Sequence, residues 1–210
     1  MPGPTTSAEA LDVSVVLPVY NEKGHLTTEV ERIRAALDAS EYSYEIIVID
    51  DGSDDGSEIE MAKLDGVRLI RHAKNRGSGA ARRTGTTAAL GRVVVWTDTD
   101  MTYPNDRIPE LVKELDGWDH VVGARRTEEG TVKVFRVPAK WFIRKLASYL
   151  SDTDIKDLNS GLRAFRRDVA MQYVHHLPAG FSCVTTLTLA FLADGYSVKY
   201  VPIELSLIHI

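Results

Sequence analysis

The stretch that decides the fold is an apolar run ending in two aspartates, Val93-Val94-Val95-Trp96-Thr97-Asp98-Thr99-Asp100. Three valines and a tryptophan predict a buried β-strand. Asp98 and Asp100 then stand two residues apart, and in an extended chain such residues point to the same side. We therefore expect the two carboxylates to lie together where this strand ends.

This pair of aspartates has the chemistry of a divalent-metal site. Two neighbouring carboxylates repel each other and are costly to desolvate unless they have a partner. Carboxylate oxygens suit Mg²⁺ or Mn²⁺, which often bridge one or two carboxylates to phosphate groups. Asp98 and Asp100 are therefore predicted to bind one divalent ion. The alternative is an acidic turn, because aspartate is common in turns.

Strands and helices alternate along the chain before this stretch. Apolar runs that predict strands cover residues 13–18, 44–49 and 67–70. Segments that predict helices cover residues 29–39, 57–64 and 77–90. This alternation predicts a mostly parallel sheet of βαβ units. Because ligands bind at the carboxyl ends of such strands, the loops at Tyr20, Asp50 and Asp98 are expected to meet at the site.

The chain after the stretch is less regular. Predicted helices cover residues 109–115, 141–150 and 184–193, and predicted strands cover residues 120–123 and 196–202. Between them, residues 157–167 form a compact polar motif around Gly161. His175 and His176 are interpreted as a helix end and surface rather than metal ligands, because no third ligand lies nearby in the sequence.

Composition indicates an ordinary soluble domain. The chain has 210 residues, of which 44% are hydrophobic and 26% are charged. Its formal net charge of -5 argues against a nucleic-acid binder held by a basic field. The single cysteine, Cys183, excludes an internal disulfide and a cysteine-based metal cluster, and we expect it to be a buried thiol without a chemical role. No apolar run reaches the roughly 18 residues of a membrane span, which leaves contact with a membrane surface open.

Seven short motifs follow one another along residues 13–203. They are Pro18-Val19-Tyr20-Asn21-Glu22, Asp50-Asp51-Gly52-Ser53-Asp54-Asp55-Gly56-Ser57, Asn75-Arg76-Gly77, Asp98-Thr99-Asp100, Gly123-Ala124-Arg125, Ser160-Gly161-Leu162-Arg163-Ala164-Phe165, and Gly195-Tyr196 leading to Val201-Pro202-Ile203. In this order they resemble the family 2 glycosyltransferases with the GT-A fold. Within that family the chain looks most like the dolichyl- or polyprenyl-phosphate sugar transferases.

The resemblance implies an α/β fold of the GT-A type, a single domain whose Rossmann-like, mostly parallel sheet is flanked by helices. It divides residues 11–203 into a nucleotide-sugar-binding half, 11–104, and an acceptor half, 105–203. It implies an inverting glycosyltransferase that takes a sugar from a UDP- or GDP-linked donor with the help of Mg²⁺ or Mn²⁺. The acceptor would be a polyprenyl or dolichyl phosphate, and the enzyme would be cytoplasmic, with a peripheral position on the membrane's cytoplasmic face left open.

The resemblance also implies roles for individual residues. The nucleotide-binding residues would be Pro18, Tyr20, Glu22, Asp50, Asp51, Asp98 and Thr99. The catalytic residues would be Asp98, Asp100, Arg125 and Asp157. Ser160 is a candidate acceptor-binding residue, together with Lys140 and Arg144, which are named for their helical spacing and not for the resemblance. These roles suit the side chains, since carboxylates accept hydrogen bonds from base N–H and ribose hydroxyl groups, and a fixed arginine stabilises a diphosphate. The two aspartates at 50 and 51 could instead be turn formers.

Three alternatives stay open for the acceptor and the reaction. A lipid phosphate is a charged nucleophile that needs cations, which Lys140 and Arg144 would supply from one helical turn unless they are only a solvated face. A soluble hydroxyl acceptor would need a base, for which Asp157 is the candidate. A third alternative is a module that binds a nucleotide sugar without turnover.

Two features of the sequence bear on these alternatives. Residues 77–82 nearly match a dinucleotide-binding fingerprint, but Arg82 replaces its third glycine and the motif follows a third strand, so a dehydrogenase is discounted. Thr102 stands where the polyprenyl-phosphate enzymes often have glutamine, which makes a third metal ligand doubtful. At the ends, residues 1–10 are expected to form a disordered tail, and residues 204–210 an atypical or truncated terminus.

Overall fold

The computed structural model describes residues 11–125 and 155–205. Seven strands form one sheet in these residues. They are β1 (Val13–Val19), β2 (Tyr44–Asp50), β3 (Arg68–Arg71), β4 (Val93–Trp96), β5 (His120–Arg125), β6 (Arg163–Arg166) and β7 (Val198–Ile203). The helices are α1 (Leu26–Asp38), α2 (Ser57–Met61), α3 (Ser78–Ala88), α4 (Ile108–Lys113), α5 (Arg167–Ala170) and α6 (Cys183–Ala193).

The strand order is β3-β2-β1-β4-β6-β5-β7. Strand β6 runs antiparallel to both of its neighbours, β4 and β5, whereas the other recorded pairs are parallel. The prediction of a mostly parallel sheet flanked by helices is therefore confirmed. Strand β6 lies within the polar motif at 157–167, where the sequence analysis assigned no strand.

Two apolar layers cover the sheet, because successive side chains of a strand point to opposite faces. Val15 and Leu17 of β1 pack into the layer that α1 and α4 cover. Val16 of the same strand packs into the layer that α3 and α6 cover. A Cβ atom at Gly85 of α3 would overlap the Val16 side chain, so this helix of small residues lies close against the sheet. The close approach brings the first turn of α3 up to the carboxyl ends of β1 and β2.

The carboxyl ends of β1, β2, β4 and β5 lie at one edge of the sheet, because these four strands run the same way. We call this edge the catalytic edge. It carries the loops that follow Val19, Asp50, Trp96 and Arg125. The antiparallel strand β6 brings a further loop to the same edge from its amino end. The two histidines at 175 and 176 end a short 3₁₀ helix and are exposed, as predicted.

Among residues 11–125 and 155–205, no helix is both long enough and apolar enough to cross a bilayer. The predicted helix at 141–150 lies outside the described residues.

His120, at the amino end of β5, is a buried histidine without a polar partner. Neither ring nitrogen has a hydrogen-bond partner among the residues that the structure describes. Its ring instead packs edge-on against Phe165 and Phe191, with centroids 5.8 Å and 5.1 Å away. Burial, and then the nearby charge of Arg163, holds the pKa of His120 well below the ordinary value of 6.5. The folded protein therefore keeps this imidazole neutral.

This buried imidazole predicts a stability that depends on pH. Below about pH 6.5 the unfolded chain binds a proton at position 120 that the folded chain does not, so acid lowers the free energy of unfolding. We expect wild type to lose up to about 1.4 kcal/mol per pH unit more than His120→Phe as pH falls from 7.5 to 5. Urea unfolding of both proteins across this range measures the difference. A difference that stays constant with pH would contradict the assignment.

Candidate functional site

The loop of Asp98 and Asp100 follows β4 at the catalytic edge. The Asp100 carboxylate accepts hydrogen bonds from the Thr102 N–H at 3.1 Å and the Thr102 hydroxyl at 2.6 Å. Met101 has a φ of 60°, in the left-handed region that side chains rarely adopt. The loop is thus a tight turn closed by Asp100 itself. Thr99, between the two aspartates, is buried.

The Asp98 carboxylate is held in place by a buried arginine. The Arg82 guanidinium of α3 is fully buried, donates to Asp98 Oδ1, and lies 5.8 Å from the centre of the Trp96 ring. From the sequence, Arg82 was recognised only as the residue that breaks the dinucleotide-binding fingerprint. The missed signal is a cation among small residues on the sheet-facing side of a helix, between Ala81 and Gly85. Such a residue has to find an anion inside the protein.

A glycine on the neighbouring loop lies against the other oxygen of Asp98. A Cβ atom at Gly161 would lie 2.5 Å from Asp98 Oδ2 and 3.2 Å from the Tyr103 hydroxyl oxygen. The Gly161 N–H donates to that Tyr103 hydroxyl at 2.7 Å. The loop before β6 and the loop after β4 are therefore in direct contact at the catalytic edge.

A buried polar chain supports the same loop from the side of α1. The Thr97 hydroxyl donates to Asn105 Oδ1 at 2.6 Å, and Asn105 Nδ2 donates to Glu29 Oε1 at 2.7 Å and to the Asp98 carbonyl at 3.3 Å. Burial raises the pKa of Glu29 above its usual range. None of these three residues was singled out from the sequence.

Glu22, in the loop after β1, lies close enough to the two aspartates to respond to their charge. Burial, and then the charge of Asp100, raises its pKa, and Asp98 adds to the shift. The structure thus brings Glu22, Asp98 and Asp100 into one acidic cluster. Pro18 is part of β1, and the Tyr20 side chain is 45% exposed just beyond its end.

The two aspartates that end β2 are both buried, and both bind loop backbone. Asp50 accepts from the Ser53 N–H at 2.8 Å and pairs with Arg71 Nε at 3.0 Å. Asp51 accepts from the backbone N–H groups of Arg76, at 3.0 and 3.1 Å, and of Gly77, at 2.7 Å. Both therefore have the turn-forming contacts that the sequence analysis gave as an alternative. Their role in nucleotide binding remains a prediction.

Asp51 has one more partner that the sequence did not reveal. His72 Nδ1 lies 2.6 Å from Asp51 Oδ1, and His72 Nε2 lies 2.9 Å from the Thr84 hydroxyl of α3. His72 is itself buried. The Asp51 carboxylate thereby ties the end of β2 to the start of α3.

Arg125, at the end of β5, forms a two-pronged ion pair with Asp157. Arg125 Nε and Nη2 donate to the Asp157 carboxylate at 2.7 Å and 3.1 Å. Burial raises the pKa of Asp157, but hydrogen bonds from Arg125 and from the Asn159 N–H outweigh it, so the pKa lies below its usual range. The two predicted catalytic residues therefore contact each other, and Asp157 is held as a carboxylate.

Ser160 is fully buried, and its carbonyl accepts from a buried arginine, Arg163. Arg163 Nε donates to the Ser160 carbonyl at 3.1 Å, and its Nη1 donates to the Val184 carbonyl at 2.6 Å and the Thr188 hydroxyl at 2.9 Å. Burial lowers the pKa of Arg163 to about 10. This arginine fixes the loop before β6 to α6. The two predicted acceptor cations, Lys140 and Arg144, lie outside the described residues.

The donor atoms at the catalytic edge fit a divalent ion only if phosphate oxygens complete its shell. Among the described residues, no group of three or more His, Cys, Asp or Glu side chains has the geometry of a metal site. Within those residues, no lysine or arginine pairs with Asp100, whereas Arg82 pairs with Asp98. Two carboxylates suit Mg²⁺ or Mn²⁺, since such ions keep waters and bind substrate phosphates. The residues present are thus consistent with the predicted ion.

Comparison with known proteins decides the family. The model of glycosyl transferase family 2 matches residues 14–174. The chain belongs to this family. The undecaprenyl-phosphate 4-deoxy-4-formamido-L-arabinose transferase of Aeromonas hydrophila subsp. hydrophila is 35% identical over 202 residues, covering 91% of this chain and 58% of that protein. The dodecaprenyl-phosphate galacturonate synthase of Rhizobium johnstonii is 27% identical over 177 residues, covering 81% and 52%.

These relatives confirm the predicted resemblance to the polyprenyl-phosphate branch of family 2. The chain spans about half the length of the curated relatives it matches. A crystal structure of glucosyl-3-phosphoglycerate synthase from Mycobacterium tuberculosis with Mn²⁺, UDP-glucose and phosphoglyceric acid has a TM-score of 0.69 and 23% identity. The superposition covers 91% of this chain and 69% of the synthase chain. This likeness concerns the fold, and it confirms the predicted GT-A type.

Proposed function

We propose that this family 2 chain transfers a sugar, with inversion, from a nucleotide-diphosphate sugar to a polyprenyl phosphate. The observation that carries the proposal is the acidic cluster of Glu22, Asp98 and Asp100 at the carboxyl ends of parallel strands. In such sheets this edge is where nucleotides bind. The curated relatives carry polyprenyl phosphates in their names, which supports the acceptor class.

Asp100 is the proposed principal ligand of the metal, because Asp98 already pairs with Arg82. A bound Mg²⁺ or Mn²⁺ would act as a Lewis acid toward the leaving diphosphate. Asp98 would then complete the shell with its free oxygen or accept from the ribose. Glu22, Asp50, Asp51 and Thr99 line the same edge, and we propose that they, with Pro18 and Tyr20, frame the nucleoside of a UDP- or GDP-linked donor.

The acceptor half of the site favours a phosphate over a hydroxyl nucleophile. A hydroxyl acceptor needs a general base, whose pKa should lie near the working pH. Asp157 has the opposite character, since Arg125 and the Asn159 N–H lower its pKa. A lipid phosphate is already anionic and needs no base. We propose that Asp157 positions Arg125, and that Lys140, Arg144 and Ser160 contribute to holding the acceptor at the cytoplasmic face of a membrane.

A transfer assay tests the function directly. The chain is incubated with UDP- or GDP-sugars, Mn²⁺ or Mg²⁺, and a short-chain polyprenyl phosphate, and the lipid-linked sugar is measured. We expect product with the lipid phosphate and none with the corresponding polyprenol, which lacks the nucleophilic phosphate. Nucleotide binding is followed in parallel by thermal shift, because a ligand of the native state raises the melting temperature. Binding without transfer would favour a non-catalytic module, and product from the polyprenol would favour the hydroxyl mechanism.

A further inference from the structure

An open groove of about 470 Å³ lies between α3 and the short 3₁₀ helix that carries Val174 and His175. We call it the α3 groove. Its lining comprises Arg76, Ala80, Arg83, Thr84, Thr87, Ala88, Val174 and His175. It contains arginines, threonines and a histidine but no aspartate or glutamate. This composition is unusual for a chain whose formal net charge is -5.

The cations along this groove have no acidic partners in the part of the chain that the structure describes. By contrast, Arg71, Arg82 and Arg92, which do not line the groove, each pair with an aspartate. Arg76 and Arg83 form no such ion pair with the described residues, and neither does the exposed Lys74 just before the groove. Arg76 and Arg83 line the groove together and therefore form a positive patch that can take an external anion, and Lys74 precedes Arg76 by two residues in the chain.

A large exposed aromatic side chain follows the segment that packs on the first turn of α3. Phe181 is 52% exposed. The three residues before it pack on the first turn of α3, since the Ala80 N–H donates to the Ala179 carbonyl at 3.0 Å. A Cβ atom at Gly77 would lie 2.6 Å from that same carbonyl oxygen. Phe181 thus comes directly after a segment that is fixed to the first turn of α3. Arg76 lies just before that same turn.

We propose that the α3 groove, with Lys74 and Phe181, docks the protein onto a bilayer of anionic phospholipids. Basic side chains near a membrane surface are attracted to anionic lipids, and an exposed aromatic ring suits the interface between headgroups and chains. The net negative charge of the whole chain disfavours a nucleic acid as partner. This inference rests on the proposed function for its purpose, because a polyprenyl phosphate has to be reached in a membrane. The docking face adjoins the catalytic edge, since the Arg76 N–H bonds to Asp51.

Cosedimentation with vesicles tests the docking face without donor or acceptor. The vesicles contain either phosphatidylcholine alone or an equal mixture with phosphatidylglycerol. Wild type is compared with Lys74→Glu/Arg83→Glu and, separately, with Phe181→Ser. The control is Lys63→Glu/Lys113→Glu, which changes the net charge equally on exposed side chains away from the groove. Lys140 and Arg144 are left in place in every variant, and circular dichroism melting confirms that each is folded.

We expect wild type to bind the anionic vesicles and not the neutral ones. The groove variant should bind the anionic vesicles about tenfold or more weakly, as removal of two cations from an anionic surface implies. Phe181→Ser should also weaken binding, and the control should bind like wild type. Equal binding by the groove variant, or equal losses in groove variant and control, would overturn the proposal. If the protein binds the anionic vesicles but gives no product in the separate transfer assay, the proposed function is refuted and the docking face stands.

Discussion

Replacement of Asp100 by alanine is expected to abolish metal-dependent binding of nucleotide diphosphates. Among the described residues its carboxylate is the member of the pair without a basic partner, so it is the group best able to bind a cation. Lewis-acid stabilisation of a leaving diphosphate is worth several kcal/mol, so transfer should fall by about a thousandfold or more. Thermal shift with UDP and with GDP, each with and without Mn²⁺, measures the binding, and the transfer assay measures the rate.

The matched control for this variant is Asp116→Ala. Asp116 is an exposed aspartate that lines a groove together with Asp12 and Arg92, at the opposite edge of the sheet. This control should keep both the metal-dependent shift and the activity of wild type. If Asp100→Ala binds nucleotide diphosphate with the metal dependence of wild type, Asp100 is not the metal ligand.

Replacement of Gly161 by alanine is expected to lower kcat by about a hundredfold, the scale of a loss from a misplaced catalytic group. The added methyl group has no space, because its carbon would lie 2.5 Å from Asp98 Oδ2. Either the Asp98 carboxylate or the Tyr103 ring then has to move. Since Asp98 also pairs with Arg82, the displacement should reach the acidic cluster while the sheet stays intact.

Gly180→Ala provides the comparison for this effect. It makes the same chemical change in a loop at which a Cβ atom meets nothing within 4 Å. Steady-state transfer kinetics of both variants, at a temperature where circular dichroism shows both folded, separate the two cases. Equal kcat values for Gly161→Ala and wild type would show that the contact with Asp98 has no catalytic consequence.

The sheet was largely predictable because most of its strands are continuous apolar runs in the sequence. Val93 to Trp96 is an uninterrupted apolar run, and it forms β4 over the predicted residues. Strand β6 was not predictable in the same way, since its sequence Arg163-Ala164-Phe165-Arg166 carries two arginines. One of them, Arg163, is wholly buried because backbone carbonyls and Thr188 satisfy it. Those partners are distant in sequence, so periodicity does not reveal them.

The residues of the candidate site likewise fall into two groups, those with a local sequence pattern and those without one. Spacing brought out Asp98 and Asp100, and the order of the motifs brought out Glu22, which the structure brings into the same cluster. The supporting residues were missed, because Arg82, His72 and Glu29 act through contacts with other loops rather than through a local pattern. The ion pair between Arg125 and Asp157 was missed for the same reason, although both residues had been named. Residues that could contact the substrate are therefore easier to predict from the sequence than the residues that position their side chains.

The place of β6 in the sheet also has a consequence for how the chain folds as it leaves the ribosome. The pairs among β1 to β4 form within residues 13–96, but β4 gains its other neighbour only with residues 163–166. Until then, the valines of β4 form an open sheet edge, which is a template for pairing with other chains. Domains fold as their segments emerge, and unpaired edges make such intermediates prone to aggregation. A nascent chain that stalls before residue 163 thus exposes the very strand whose end carries the acidic pair.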